Sequence, residues 1–187
     1  MLTREQYLHN SGERINALVF APIGETATNV RYSIGFPGGG SARKRIGECW
    51  SPDASGDQTI EIFISPVVVH DLLRMLATQV HEMVHAIVGN DCGHKGAFRK
   101  LALAAGLEGK MTATVAGERL TAILKSILDE LGEFPGKELS LNERKKQTTR
   151  LIKVGCPDCS NVARQSRTQY ELHGLICGAC CVPMRAV

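Results

Sequence analysis

His81-Glu82-Met83-Val84-His85 is an H-E-x-x-H stretch inside an apolar, helix-prone run. On a helix, histidines four residues apart stand one turn above each other on the same face, where both imidazoles can bind one zinc ion. Glu82 beside them is then placed to act as general base toward a water on that metal. The chemistry these residue types suit is zinc-assisted hydrolysis. The flanking sequence supports the helix. After Pro66, apolar residues at Leu72, Met75, Leu76, Val80, Met83, Val84 and Ile87 follow a 3.6-residue period, and Gly89-Asn90 ends it.

Two ligands do not hold a catalytic zinc, so a third is needed. The metzincin pattern requires glycine and histidine three and six residues past the second histidine; Val88 and Asp91 stand there, which excludes it. His94 is the first candidate. It lies in Cys92-Gly93-His94-Lys95-Gly96-Ala97-Phe98, after a Gly/Asn/Asp turn that can fold back over the helix end. Glu108 is the nearest glutamate for a gluzincin arrangement, and Asp91 and Cys92 also carry ligand types that zinc accepts.

A second constellation stands near the carboxy terminus. Cys156-Pro157-Asp158-Cys159, seventeen intervening residues, and Cys177-Gly178-Ala179-Cys180 have the spacing of a zinc ribbon. Four thiolates complete a tetrahedral zinc and leave no open position, so this metal is expected to be structural. The 32 residues from Cys156 to Val187 are too few to fold on a buried core alone. Metal binding worth roughly 10–16 kcal/mol in small zinc peptides can supply that energy. Two disulfides are the alternative, and Cys181 competes with Cys180 as fourth ligand. Cys49 and Cys92 are expected to be ordinary free thiols.

HEMVHAIVG followed by GHKGAFRK resembles the signatures H-E-[LM]-[IV]-H-A and G-H-G-x-x-F of the SprT-like zinc metallopeptidases, the family that includes the Spartan proteases of DNA-protein crosslink repair. Lys95 stands where that family usually has glycine. Upstream, VRYSIGF, RIGECWSP and QTIEIFISP resemble the three strands that lead into the metal-binding helix, and a carboxy-terminal ribbon accompanies the protease in many members. The resemblance implies His81, His85 and His94 as ligands of a catalytic zinc and Glu82 as the general base. It also implies a protease acting on DNA-associated proteins.

The elements that must position these residues follow from periodicity. The expected class is α+β: a small three-stranded sheet packed on helices that carry the zinc site, followed by the ribbon. Residues 1–131 form the peptidase domain, 132–150 a basic linker and 151–187 the ribbon. A first helix is expected over Thr3–Phe20, strands over Asn29–Phe36, Lys44–Trp50 and Thr59–Ser65, and helices over Val67–Val88, Gly96–Ala105 and Glu118–Leu131. Thr59–Ser65 is the expected sheet edge along which an extended substrate lies, since it directly precedes the zinc helix. Tyr7 and Tyr32 are the side chains available as a second oxyanion donor, against an ordinary packing role.

The net charge of +3 is unevenly placed. Residues 1–139 hold 14 Lys and Arg against 16 Asp and Glu, whereas residues 140–187 hold 8 against 3. Arg144, Lys145, Lys146 and Arg150 precede the ribbon, and Arg164 and Arg167 lie between its cysteine pairs, a layout suited to contacting several DNA phosphates. Arg43-Lys44-Arg45, in a glycine-rich loop, is a second basic group. The amino terminus lacks signal-peptide architecture, and no run approaches eighteen apolar residues, so the expectation is a cytoplasmic monomer without a membrane partner. A nucleic-acid-binding or transcription-associated protein with a structural first metal is the competing class; an intact Glu82 favours the enzyme.

Overall fold

The computed structural model of the chain describes residues 2–38, 45–140 and 151–187. The protein is mixed α+β and divides into two units, Met1–Asn142 and Glu143–Val187.

The first unit opens with α1 (Arg4–Ile15), started by a capping box in which Thr3 and Gln6 satisfy each other's backbone N–H. The expected single helix to Phe20 instead widens into a π-helical turn at Asn16–Phe20 and tightens into a 3-10 turn at Ala21–Ile23. Asn16 exchanges two hydrogen bonds with the backbone of Ala27, and Pro22 cannot continue an α-helix. Strands β1 (Val30–Ile34), β2 (Gly47–Trp50) and β3 (Ile60–Ile64) form a sheet in the order β1-β3-β2, with β1 parallel and β2 antiparallel to β3. β3 is therefore central. The expectation that it is the exposed edge is wrong, because β1 and β2 take up its two flanks. Ile62 and Ile64 bury completely on one face of it.

α2 (Leu72–Val88) starts five residues later than expected. Val67-Val68-Val69 lies in turns, and Asp71 supplies the cap by accepting from Arg74 N at 3.0 Å. Every residue from Met75 to His85 is buried, because β2, β3, α1, α3 (Ala97–Ala104), α4 (Glu118–Leu131) and β5 (Ala113–Ala116) surround this helix. β5 pairs antiparallel with β4 (Leu107–Lys110) in a hairpin that the sequence patterns did not signal. Leu120, Leu124 and Ile127 of α4 are fully buried, each worth roughly 1.5–3 kcal/mol against exposure. Packing continues past Leu131: Tyr7 donates to Gly132 O at 3.0 Å and meets Phe134 edge to face.

The second unit pairs β6 (Leu151–Gly155) with β7 (Val162–Ser166) and with β8 (Arg185–Ala186), and carries α5 (Arg167–His173). Its fully enclosed apolar cluster is Val154, Cys177 and Met184. No described helix is long and apolar enough to cross a membrane.

Candidate metal centres and cleft

α2 projects His81 and His85 from one face, one turn apart, and the chain reverses over them after its end. Gly89, at φ +81, stops the helix; two turns, closed by Gly93 N to Asn90 O at 3.0 Å and Lys95 N to Cys92 O at 3.1 Å, then lead through His94 to α3. Gly93 and Gly96 take φ of +51 and +49, a region that costs a side-chain-bearing residue energy. His94 Nε2 thereby lies 3.1 Å from His81 Nε2 and 3.3 Å from His85 Nε2. A tetrahedral zinc held at about 2.0–2.1 Å spaces its nitrogens about 3.3 Å apart, so these three atoms fit one. Phe98, fully buried on α3, floors the group, its ring centroid 4.3 Å from His85 and 4.9 Å from both His81 and His94. Glu108 lies on β4 with its carboxylate against Gly117, and neither Asp91 nor Cys92 joins the cluster; His94 is the residue that completes it.

The imidazoles are poised as neutral ligands. Burial, then the neighbouring His85 and His94, push His81 down to about 3. Burial and then His94 push His85 down to about 4 against the backbone of Gly89, and burial lowers His94. Thr114 on β5 stands 2.8 Å from His81 Nδ1, where its oxygen can accept that proton and leave the Nε2 lone pair facing the cluster. His85 turns its Nε2 to the cluster, and its Nδ1 is buried without a hydrogen-bond partner among the described residues.

Glu82 lies beside the triad, 6% exposed. Desolvation pushes its carboxyl up to about 8; Glu48 adds to the rise and Arg45 opposes it. Glu48 is itself held on β2, accepting from Arg45 Nη1 at 2.7 Å, Gly38 N at 3.0 Å and Trp50 Nε1 at 3.2 Å. Glycine is required at position 47, since a Cβ there would collide with the Glu82 side chain and come within 2.6 Å of Thr78 Cγ2. Glu82, Gly47, Glu48, Arg45 and Thr78 border an open cleft of about 970 Å³, lined also by residues of β2 and β5. Tyr7 and Tyr32 are packing residues: both are buried in the core, and the Tyr7 hydroxyl is spent on Gly132.

In the second unit Cys156, Cys159, Cys177 and Cys180 bring their sulfur atoms within 4.8 Å of one another, with Cys159 and Cys177 at 3.8 Å. Zn–S bonds of about 2.3 Å space tetrahedral sulfurs about 3.8 Å apart. No cysteine is disulfide-bonded, and Cys181 turns away, exposed at φ +55, which selects Cys180 as the fourth member. Asn161 Nδ2, 3.5 Å from Cys177 Sγ, and the backbone N–H groups of Cys180 and Ala179 lower the Cys177 thiol; Cys159 raises Cys180. Comparison with protein-family models, curated proteins and solved structures finds no match.

The structure thus gathers His81, Glu82, His85 and His94 at one site and the four cysteines at another. Arg164 and Arg167 are exposed on β7 and α5, Arg167 facing Glu171 at 3.6 Å. Arg144, Lys145, Lys146 and Arg150, with Arg43 and Lys44, lie outside the described residues. Thr114 and Glu48 went unnoticed in the sequence: neither belongs to a spaced motif, and Thr114 sits on a hairpin without a turn signature.

Proposed function

We propose that this chain is a zinc-dependent endopeptidase of the SprT-like kind, acting on proteins bound or crosslinked to DNA. One observation carries the reading: three neutral imidazole nitrogens from His81, His85 and His94 converge beside the buried carboxyl of Glu82 on the wall of an open cleft. Zinc bound there supplies a Lewis acid for a peptide carbonyl and lowers the pKa of its water to about 7. Glu82 takes the water proton on a carboxylate oxygen and returns it to the leaving amine. Its raised pKa belongs to the metal-free protein; a dication on the neighbouring histidines, with Arg45, favours the ionised form that a base requires. Thr114 holds the His81 ring in the ligating tautomer, and Phe98 excludes water beneath the triad. The outer edge of β2 binds the substrate backbone as an added strand.

The second unit is, in this proposal, a zinc ribbon whose metal is structural. With the basic residues from Arg144 to Arg167 it recruits DNA. The test incubates the zinc-loaded protein with a DNA-binding protein, with and without DNA, comparing wild type with Glu82→Gln. Wild type is expected to cleave, faster with DNA, and Glu82→Gln to keep two zinc ions and lose cleavage. Equal cleavage by the variant rejects the mechanism. Two bound zinc ions with no cleavage by either protein assign the chain to the nucleic-acid-binding class.

A further inference from the structure

β2 offers less edge to a substrate than its length suggests. Ser65 N donates to Ile46 O at 2.8 Å, joining β3 to β2, whereas Ile60 N and Gly35 N, bonded at 3.0 Å to Asn29 O and Ile64 O, join β3 to the β1 side. In an antiparallel pair the hydrogen-bonded and non-hydrogen-bonded positions alternate. With Gly47 opposite Ile64 and Cys49 opposite Ile62, the backbone groups of Gly47 and Cys49 therefore turn outward. Gly47 is the position against Glu82. The Cys49 carbonyl is already taken, since Asn90 Nδ2 donates to it at 3.0 Å. Asn90 reaches β2 because Gly89 reverses the chain one residue earlier.

We propose that Asn90 is a positioning residue that closes the substrate edge. An extended chain pairs antiparallel with Gly47 N–H and C=O beside Glu82, and the ladder is broken at the next outward residue, where Asn90 occupies the Cys49 carbonyl and leaves only the Cys49 N–H. The substrate class that follows is a short extended segment held chiefly by the pair at Gly47, with a reduced gain from further strand on the amino-terminal side of the residue opposite it. This rests on the peptidase reading for its substrate, but its test is read by binding.

The experiment uses the full zinc-loaded chain carrying Glu82→Gln, with a fluorescent peptide series extended two residues at a time at the amino end, measured by anisotropy. With Asn90 present, affinity is expected to improve by less than one hydrogen-bonded pair's worth beyond the residue opposite Gly47 and then to level off. Asn90→Ala frees the Cys49 carbonyl, so the longest peptides should bind roughly 2- to 10-fold tighter, one net hydrogen bond, while short peptides that do not reach it bind as before. Asn90→Asp, of the same size and unable to donate, gives the same length dependence if the alanine variant folds poorly. Identical length profiles with and without Asn90, or no peptide binding at all, would each overturn the assignment. Absence of hydrolysis by the wild-type chain with the expected binding profile would instead sink the catalytic reading and leave this one standing.

Discussion

His81 can lend its Nε2 lone pair to a metal only while its proton sits on Nδ1, and Thr114 is the group placed to keep it there. Thr114→Val keeps the shape and removes the acceptor. It is expected to weaken metal binding at the histidine site about 10- to 100-fold, with the cysteine site unchanged, read by chelator competition on each site. Equal affinity in the variant would show that ring packing against Phe98 suffices to fix the tautomer. Glu82 gives a second residue-level expectation. Its folded pKa of about 8 exceeds the free value of 4.5, so between those pH values the unfolded chain has released a proton that the metal-free native state retains. Stability from this group is therefore lost as pH rises across that window. Metal-free Glu82→Gln should gain on metal-free wild type from pH 4.5 to 8, by on the order of a few kcal/mol at the upper end, in urea titrations at the two pH values. A difference that does not change with pH would mean the carboxyl is solvated.

At the scale of elements, Gly47 sets how closely β2 approaches α2. Gly47→Ala must displace Thr78 or Glu82, an overpacking cost of about 1–3 kcal/mol, and it should lower cleavage more than stability because Glu82 is the side chain that gives way. Unaltered cleavage with the expected loss of stability would place the accommodation on Thr78 alone. Much of this arrangement was legible from residue order. The apolar stripe through α2, the stop at Gly89, the alternation of Ile60, Ile62 and Ile64, and the whole of α4 are local patterns, and the helix and strands they announce are present. The β4–β5 hairpin was not legible, since its two-residue turn is Met111-Thr112, without the Asn, Asp or Gly that usually marks one. Met111 packs partly against the core, a long-range contact that local sequence does not display. The order β1-β3-β2 was overlooked although β3, with four apolar residues in Ile60–Ile64, is more apolar than β1 or β2, as suits a central strand; its place directly before the zinc helix suggests an edge instead. His94 was reachable because glycines on both sides announced a reversal, whereas Asn90 beside it looked like turn punctuation alone.

For the whole molecule, the two units draw stability from different sources. Met1–Asn142 has a continuous apolar core, whereas the described residues of Glu143–Val187 bury little beyond Val154, Cys177 and Met184. Chelation is therefore expected to unfold the second unit and leave the first with a cooperative thermal transition, distinguishable by amide exchange in each segment. Retained protection of β6 and β7 without metal would remove the structural role of the cysteines. A truncation that preserves the first unit ends after Asn142, since Gly132 and Phe134 hold Tyr7 and Leu139 N donates to Pro66 O at 3.1 Å. On the proposed reading, that form should keep its histidine-site metal but lose DNA binding, and the full chain should show a log-log salt slope of about −0.9 per neutralised phosphate on duplex DNA. An unchanged slope after truncation would move the contact to Arg43-Lys44-Arg45. The sheet order has a consequence for how the molecule assembles. β3 is the last of its three strands to be synthesised, yet it is the partner of both others, so neither β1 nor β2 can form its ladder until residue 64 has emerged. Joining β1 to β3 in parallel closes a long loop before any contact repays it, the kind of pairing that slows folding. Ile62→Val, at the centre of β3, is accordingly expected to slow refolding, with a φ-value above 0.5, and a substitution at Cys49 on β2 chiefly to speed unfolding. The cleft would then be the last part of the sheet to close and the first to open.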